Sequence, residues 1–156
     1  MVERIRPAVA LVQLRPGAQL PVRMSEHAAG WDLSACLSGD GITLEPGARV
    51  RVPTGLALAI PPGFEGQVRP RSGWAARTGV TVLNAPGTID ADFRGELEVL
   101  LVNLGPDPVR ISSGDRIAQL VVAPLAEPTF GWVAALPATG RGAGGFGSTG
   151  GRGDVG

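Results

Sequence analysis

A chain of 156 residues is long enough for one main folded domain, and its fourteen basic residues are balanced by fourteen acidic ones, so no overall charge attracts nucleic acid or an anionic membrane. Every basic residue is arginine and tyrosine is absent, which excludes a lysine Schiff base, a lysine-bearing phosphate loop and a tyrosine nucleophile. Cys36 and His27 are the single residues of their types, which argues against an internal disulfide, a cysteine-based zinc site and catalysis by a Ser-His or Cys-His pair.

The amino-terminal residues 1–14 mix charges into an apolar stretch and contain no small-residue cleavage site, so we expect no signal peptide. The longest apolar runs are much shorter than the roughly 20 residues that a membrane-spanning helix needs. We therefore expect a soluble cytoplasmic protein that binds neither a membrane nor nucleic acid.

Short segments rich in apolar and β-branched residues are predicted as strands, and glycine or proline turns separate them. They are residues 8–14, 30–36, 42–44, 49–53, 55–60, 66–69, 80–83, 97–103, 108–111 and 116–123. Residues 72–78 are the one stretch of helical composition, and their length predicts a short connecting helix. Many short strands at this spacing indicate an all-β fold, a jelly-roll-like sandwich or barrel.

Residues 84–96 (NAPGTIDADFRGE) place Asp90 between two glycine-bearing turns. Residues 86–87 bend the chain, residues 88–89 favour an extended backbone, and another strand follows, so the pattern predicts a hairpin with the Asp90 carboxylate near its tip. A carboxylate held in that way can deprotonate a water molecule. A solvated turn aspartate is the alternative that these residues alone leave open.

The last twenty residues differ from the rest, because residues 137–156 carry nine glycines and little apolar surface. We predict a β-barrel domain at residues 1–136 and a flexible glycine-rich tail at residues 137–156. Within the tail, Arg141, Phe146 and two hydroxyl residues stand among glycines. A lid over a triphosphate needs such groups, since guanidinium and hydroxyl groups bind phosphate oxygens and an aromatic ring stacks on a base.

Five separated segments share this chemistry. They are residues 29–35 (AGWDLSA), 70–79 (PRSGWAARTG), 84–96, 114–121 (GDRIAQLV) and 141–150 (RGAGGFGSTG). In order and spacing they resemble the five motifs of the homotrimeric dUTPases, the deoxyuridine triphosphate nucleotidohydrolases, over nearly the whole chain. The resemblance implies a Mg²⁺-dependent enzyme that hydrolyses dUTP to dUMP and pyrophosphate, which limits uracil incorporation into DNA and supplies dUMP for thymidylate synthesis.

The resemblance also implies which residues bind the phosphates and the metal. Arg71, Ser72, Gly73 and Gln119 would contact phosphate oxygens, and Asp32 would order waters around a magnesium ion that the triphosphate itself holds. The residues alone leave open a helix N-cap serine, a turn aspartate and an outward-facing strand glutamine.

For the nucleoside, the resemblance implies that Asn84 and the backbone of Thr88, Ile89 and Asp90 read the polar edge of uracil. Asp90 would also be the general base that activates a water for in-line attack on the α-phosphorus. Phe93 would pack against the deoxyribose. The family has tyrosine at that position, so this chain keeps the ring and lacks the phenolic hydroxyl.

In the tail, the resemblance implies that Phe146 stacks on uracil. Arg141, Ser148 and Thr149 would close over the β- and γ-phosphates, and Gly147 would also bind the substrate. Each active site would be assembled from three subunits of a homotrimer, and the third subunit would contribute the tail.

Two other functions stay open at this point. A dCTP deaminase shares the fold and much of the segment around Asp90, but it does not normally end in a glycine-rich phosphate lid. A non-catalytic trimeric module would bind a nucleotide or a partner protein and signal by closing the lid.

Overall fold

The computed structural model describes residues 5–145, which form ten strands and one short helix. In chain order the strands are β1 (Ala10–Gln13), β2 (Trp31–Ser34), β3 (Ile42–Leu44), β4 (Arg49–Ala59), β5 (Phe64–Arg69), β6 (Val80–Val82), β7 (Gly87–Ile89), β8 (Glu96–Asn103), β9 (Val109–Ile111) and β10 (Arg116–Pro124). The helix α1 (Ser72–Thr78) lies between β5 and β6, as predicted.

The strands form three antiparallel sheets with the orders β1-β4-β8-β6, β2-β10-β5-β7 and β3-β9. One cluster of buried apolar side chains draws on all three sheets and forms the core; its members include Leu33, Val52, Val68, Leu97, Val99, Leu101, Ile111, Ile117 and Leu120. Each such side chain contributes about 1.5–3 kcal/mol by leaving water. The prediction of an all-β, jelly-roll-like fold is confirmed.

One strand replaces the two that were predicted at residues 49–53 and 55–60. Strand β4 continues through this region, and the predicted turn is a bulge in its pairing with β8. Pro53 pairs with Glu98, and the next pair is Ala57 with Glu96. Gly55, with a φ of +71°, supplies the backbone conformation that the bulge requires.

The predicted hairpin around Asp90 is wrong, because the strands on either side of it belong to different sheets. Strand β7 pairs with β5, whereas β8 pairs with β4 on one edge and β6 on the other. A strand has two edges, so β8 has no free edge for β7. Residues 90–95 therefore cross from one sheet to the other.

Helix α1 begins after Arg71 and ends at Gly79, whose φ of +77° is left-handed and whose N–H donates to the Ala75 carbonyl. No helix within residues 5–145 is long and apolar enough to cross a membrane. The chain divides into two compact units, Met1–Ala126 and Glu127–Gly156. The boundary between a barrel at 1–136 and a lid at 137–156 stays a prediction.

A half-buried carboxylate ties three parts of the first unit together at the bulge. Glu96, whose side chain is 19% exposed, accepts hydrogen bonds from Arg15 and from the Gly55 N–H. The hydrogen bonds from Arg15 lower the pKa of the Glu96 carboxyl; partial burial opposes them, and the Gly55 N–H adds to the lowering.

Replacement of this carboxylate, Glu96→Gln, is expected to lower the free energy of unfolding at neutral pH, and the deficit should shrink as the pH falls. A carboxyl with a lowered folded-state pKa contributes stability above its unfolded-state pKa and loses it as the pH falls through the folded-state value. Urea unfolding from about pH 7 to about pH 3 measures the effect.

The matched control is Glu98→Gln on the same two strands. The pair of Glu98 with Arg51 is longer, at 3.5 Å, and more exposed, so its loss should change stability less and with a weaker dependence on pH. A deficit of Glu96→Gln that stays constant with pH would contradict the prediction.

Candidate active site

Five of the predicted phosphate and metal residues line one cavity of about 240 Å³. Its lining consists of Met24, Ala28, Gly30, Asp32, Arg71, Ser72, Gly73 and Gln119. Strand β2 supplies Asp32, β10 supplies Gln119 opposite it, and the start of α1 supplies Ser72 and Gly73. Residues that are far apart in sequence meet here because β10 pairs with β2 on one edge and with β5, which leads into α1, on the other.

Two arginines meet the Asp32 carboxylate at this cavity. Arg71 Nε and Arg116 Nη1 each lie 3.1 Å from Asp32 Oδ2. The second guanidinium nitrogen of Arg71 donates to the Arg116 carbonyl at 2.9 Å. Arg71 is therefore held at its Nε edge and at one terminal nitrogen, which fixes the plane of its guanidinium group.

Arg116 is the residue that sequence reasoning missed. It lies within the segment 114–121 that the resemblance covers, yet no role was assigned to it. Its partner Asp32 is 84 positions away in the chain, so the contact depends on the pairing of β10 with β2. The signal that could have found it is an arginine at the first position of the predicted strand 116–123, from which its side chain can reach a neighbouring strand.

Gln119 is held in place by a close approach to Gly30. Its Nε2 donates to the Pro70 carbonyl at 2.9 Å, just before Arg71. Gly30 is buried, and a Cβ atom at this position would overlap Gln119 Oε1 and lie 3.1 Å from Gln119 Cβ. A glycine at position 30 is therefore needed for the observed placement of the Gln119 amide.

A second, more open cavity of about 460 Å³ adjoins the first and shares Gln119 with it. Its remaining lining is Gln67, Arg69, Pro70, Ala85 and Pro86. Alternate side chains of β5 are joined by hydrogen bonds beside this cavity. Gln67 donates to Glu65 at 2.6 Å and accepts from Arg69 Nε at 3.0 Å. Asp32, Gln119 and Arg69 lie in register across β2, β10 and β5.

The Asp90 carboxylate is exposed at the point where β7 ends. The preceding residues Thr88 and Ile89 pair with Gln67 and Gly66 of β5. A turn follows, in which the Phe93 N–H donates to the Asp90 carbonyl at 3.1 Å. The start of the loop is therefore anchored by the sheet.

Two further contacts shape the same loop. Arg94 donates from one nitrogen to the carbonyls of Ala91 and Phe93, both at 2.7 Å. The Phe93 ring is 39% exposed and lies over Gly95, where a Cβ atom would come within 2.7 Å of Phe93 Cζ. Asn84 lies at the other end of β7, with its Nδ2 close to Gly87.

Within the described residues, the predicted nucleoside residues Asn84, Asp90 and Phe93 lie on or beside β7, and the five phosphate and metal residues line the first cavity. Neither of the two cavities described above is lined by Asn84, Asp90 or Phe93. Strand β7 forms one edge of its sheet and β2 the opposite edge, with β10 and β5 between them. At about 4.8 Å per strand, the separation across the sheet is roughly 14 Å.

Of the predicted lid residues, Arg141 lies within the described part of the chain. Its Nε donates to the Gly144 carbonyl at 2.9 Å within its own unit. The predicted contacts of Phe146, Gly147, Ser148 and Thr149 fall outside the described residues.

Comparison with known proteins identifies relatives along nearly the whole chain. The dUTPase family model matches residues 17–150. A deoxyuridine 5'-triphosphate nucleotidohydrolase of Methylocella silvestris is 56% identical over 145 residues, covering 91% of each chain. One of Syntrophotalea carbinolica is 54% identical over 142 residues, covering 91% of this chain and 96% of its own.

Solved structures of similar fold include a mutant dUTPase of Staphylococcus bacteriophage 80alpha with dUpNHpp. It has a TM-score of 0.79 and 27% sequence identity, and the match covers 92% of this chain and 98% of the phage protein. A second mutant of the 80alpha dUTPase has a TM-score of 0.81 at 27% identity, covering 90% and 98%.

Substitution of the glycine beneath Gln119, Gly30→Ala, is expected to displace the Gln119 side chain and break its bond to the Pro70 carbonyl. Overpacking of this kind costs about 1–3 kcal/mol. A crystal structure of the variant and urea unfolding measure both effects. The control is Gly131→Ala, since a Cβ atom at Gly131 meets nothing within 4 Å. An unmoved Gln119 at unchanged stability would contradict the prediction.

Proposed function

Because the chain belongs to the dUTPase family, we propose that it hydrolyses dUTP to dUMP and pyrophosphate. The observation that carries the proposal is the cavity in which Asp32, Arg71, Ser72 and Gln119 meet, since these are residues that the resemblance assigns to the phosphates and the metal. The names of the relatives favour this reaction over dCTP deamination. In a cell the reaction would limit uracil incorporation into DNA and supply dUMP for thymidylate synthesis.

The phosphate groups of dUTP would bind at the cavity lined by the start of α1. The Arg71 guanidinium, already oriented by Asp32, offers a planar set of donors for phosphate oxygens. The Ser72 hydroxyl and the backbone N–H groups of Ser72 and Gly73 lie beside it. The Gln119 amide would contact the same phosphate chain from β10.

The donors at this cavity suit a magnesium ion that arrives with the triphosphate. Asp32 is the acidic residue of the lining, and within residues 5–145 no group of three or more His, Cys, Asp or Glu side chains could hold a metal ion. Mg²⁺ retains much of its water and commonly binds substrate phosphates with one or two carboxylates. Both guanidiniums approach Oδ2 of Asp32, so its Oδ1 would accept hydrogen bonds from metal-bound water. When bound, the ion offsets the negative charge of the phosphates.

Uracil would be read at the outer edge of β7. This strand ends its sheet, so one row of backbone N–H and C=O groups from Thr88 to Asp90 faces away from β5. The Asn84 amide lies close to Gly87 at the start of the same strand. Cytosine reverses a donor and an acceptor on this edge, and the mismatch would leave buried polar groups unpaired.

Asp90 would act as the general base. Its carboxylate would accept a proton from a water molecule, and the oxygen of that water would form a bond to the α-phosphorus. The bond between the α-phosphorus and the pyrophosphate oxygen would break on the opposite side, in line with the attack. Phe93, three residues later, would place its ring against C2' of the deoxyribose and exclude a 2'-hydroxyl group.

A site shared between subunits would join the nucleoside residues at β7 of one chain to the phosphate and metal residues of another. We propose that the edge of β7, with Asp90, meets the cavity with Arg71 of a neighbouring subunit in a homotrimer. The support is the roughly 14 Å across the sheet that separates β7 from β2, the strand that carries Asp32 at this cavity. The tail would supply Arg141, Phe146, Gly147, Ser148 and Thr149 from the third subunit.

The reaction is tested by pyrophosphate release from dUTP, dCTP and UTP with Mg²⁺. The protein is expected to prefer dUTP, and Asp90→Asn should lower kcat by about two to four powers of ten, the scale for losing a general base. The control is Asp92→Asn, an exposed carboxylate of the same loop, which should keep normal turnover. Unchanged turnover of Asp90→Asn would remove Asp90 from this role.

The shared site is tested by mixing two inactive variants, Asp90→Asn and Arg71→Ala, and exchanging their subunits. If Asp90 and Arg71 act from different chains, about a quarter of the sites in random trimers carry both original residues, and activity returns.

The control mixture combines Arg71→Ala with Gln119→Ala, two residues that line the same cavity of one chain. No mixed site then regains both residues, so no activity should return. A mixture of Asp90→Asn and Arg71→Ala that also stays inactive after verified exchange would contradict the shared site.

A further inference from the structure

The loop that carries Asp90 returns to the protein at an irregular point of the sheet. Between the pairs Pro53 with Glu98 and Ala57 with Glu96, three residues of β4 face one residue of β8. The backbone groups of a bulge lose their regular partners on the neighbouring strand. Side chains take over this task here.

Two side chains bridge β4 and the start of β8 at this point. Thr54 Oγ1 donates to the Leu97 carbonyl at 2.6 Å and accepts from the Leu56 N–H at 3.3 Å. Glu96 Oε1 accepts from the Gly55 N–H at 3.0 Å. The first two residues of β8 are thereby fixed to the bulge.

Arg15 closes this arrangement from the connection between β1 and β2. Its Nε donates to Glu96 Oε1 and its terminal nitrogen to Glu96 Oε2, both at 2.9 Å. The neighbouring Leu14 N–H donates to the Gly55 carbonyl at 2.7 Å. We call the contacts among Arg15, Gly55 and Glu96 the Glu96 clamp.

The Glu96 clamp has no room for a side chain at its central residue, Gly55. A Cβ atom on Gly55 would lie 2.7 Å from Ala18 Cβ, 3.0 Å from Cys36 Sγ and 3.2 Å from Arg15 Cβ. Glycine is therefore required at this position, and the Glu96 carboxylate accepts three hydrogen bonds, two from Arg15 and one from the Gly55 N–H.

Glu96 is also the residue at which the loop 90–95 ends. The other end of that loop is fixed by the pairing of Ile89 with Gly66 in the second sheet. Between these anchors, the loop has its own bonds at Asp90, Phe93 and Arg94. These bonds connect Asp90 with Phe93 and Ala91 with Arg94, so a displacement at the Glu96 end is transmitted along the loop toward Asp90.

We propose that Glu96 and Arg15 are positioning residues for Asp90, which they hold at its working place by clamping the carboxyl end of its loop to the bulge of β4. The inference rests on the proposed role of Asp90 as the general base. The cavity of about 240 Å³ that holds Asp32, Arg71, Ser72, Gly73 and Gln119, which we call the phosphate cavity, is lined by no residue of the Glu96 clamp. Loss of the clamp should therefore impair the chemical step more than phosphate binding.

The test uses the full-length protein and the variants Glu96→Gln and Arg15→Met. We expect kcat for dUTP to fall about tenfold in Glu96→Gln and less in Arg15→Met, because a small misplacement of a catalytic group is costly. KM and the dissociation constant of dUpNHpp should stay within about twofold, because the phosphate cavity is unchanged and β7, which would read uracil, keeps its pairing with β5.

The matched controls are Glu98→Gln and Arg51→Met. This ion pair joins the same two strands, but it lies beyond the bulge with side chains that are 33% and 73% exposed. Both variants should keep the kcat of the unmodified protein. The comparison separates the position of the Glu96 clamp from a general loss of charge between β4 and β8.

An unchanged kcat in folded Glu96→Gln would overturn the inference. A fall of kcat accompanied by an equal rise of KM would also overturn it, as would an equal loss of kcat in Glu98→Gln. Should Glu96→Gln not fold, Arg15→Lys replaces it, because it keeps the charge and loses the two-nitrogen fork. A fall of its kcat at constant KM supports the inference, and normal kcat overturns it. Failure of the proposed function is seen separately, as normal turnover in Asp90→Asn.

Discussion

The candidate site depends on the pairing of β10 between β2 and β5. This pairing places Asp32, Gln119 and Arg69 in one row across three strands, although they come from distant parts of the sequence. Neighbouring strands lie about 4.8 Å apart, so side chains in such a row reach one another directly. Both cavities open on this row, and Gln119 lines each of them. A shift of β10 by one residue would turn Gln119 to the other face and dissolve the site.

The electrostatic character of the phosphate cavity follows from one carboxylate and two arginines. Asp32 brings Arg71 and Arg116 together at 3.1 Å each, where two guanidiniums alone would repel. The group of three carries a net positive charge, which suits an anionic ligand. In the proposed reaction, the remaining donors of Arg71 would bind the triphosphate while Asp32 Oδ2 keeps the guanidinium oriented. The same carboxylate would hold water around a metal ion through Oδ1.

The sequence predicted the fold class, the short helix and nearly every strand, because alternating apolar residues and glycine turns are local signals. It failed at Thr54-Gly55, which resembles a turn and is a bulge within β4. It failed again at the predicted hairpin, because the partner of β7 is decided by which strand edges remain free in the folded sheets. Arg116 was overlooked for the same reason, since its contact with Asp32 exists only through strand pairing. Local sequence patterns thus identified the segments that form the candidate site, and long-range strand pairing determines which of their side chains are in contact.

Phe93 stands where the dUTPase family has tyrosine, and its ring is positioned by contacts that a tyrosine hydroxyl would not be needed for. The Cζ end of Phe93 lies over Gly95, where a Cβ atom would come within 2.7 Å of Cζ and 2.9 Å of Cε2. Arg94 fixes the backbone on either side through the carbonyls of Ala91 and Phe93. The seat of the ring is therefore built from the bare backbone of Gly95 and the loop around it, and none of these contacts uses a hydroxyl group. If Phe93 excludes ribose as proposed, it does so as a steric wall whose place is set by the same loop that carries Asp90. Sugar exclusion and catalysis would then share one loop, whose two ends are anchored in different sheets.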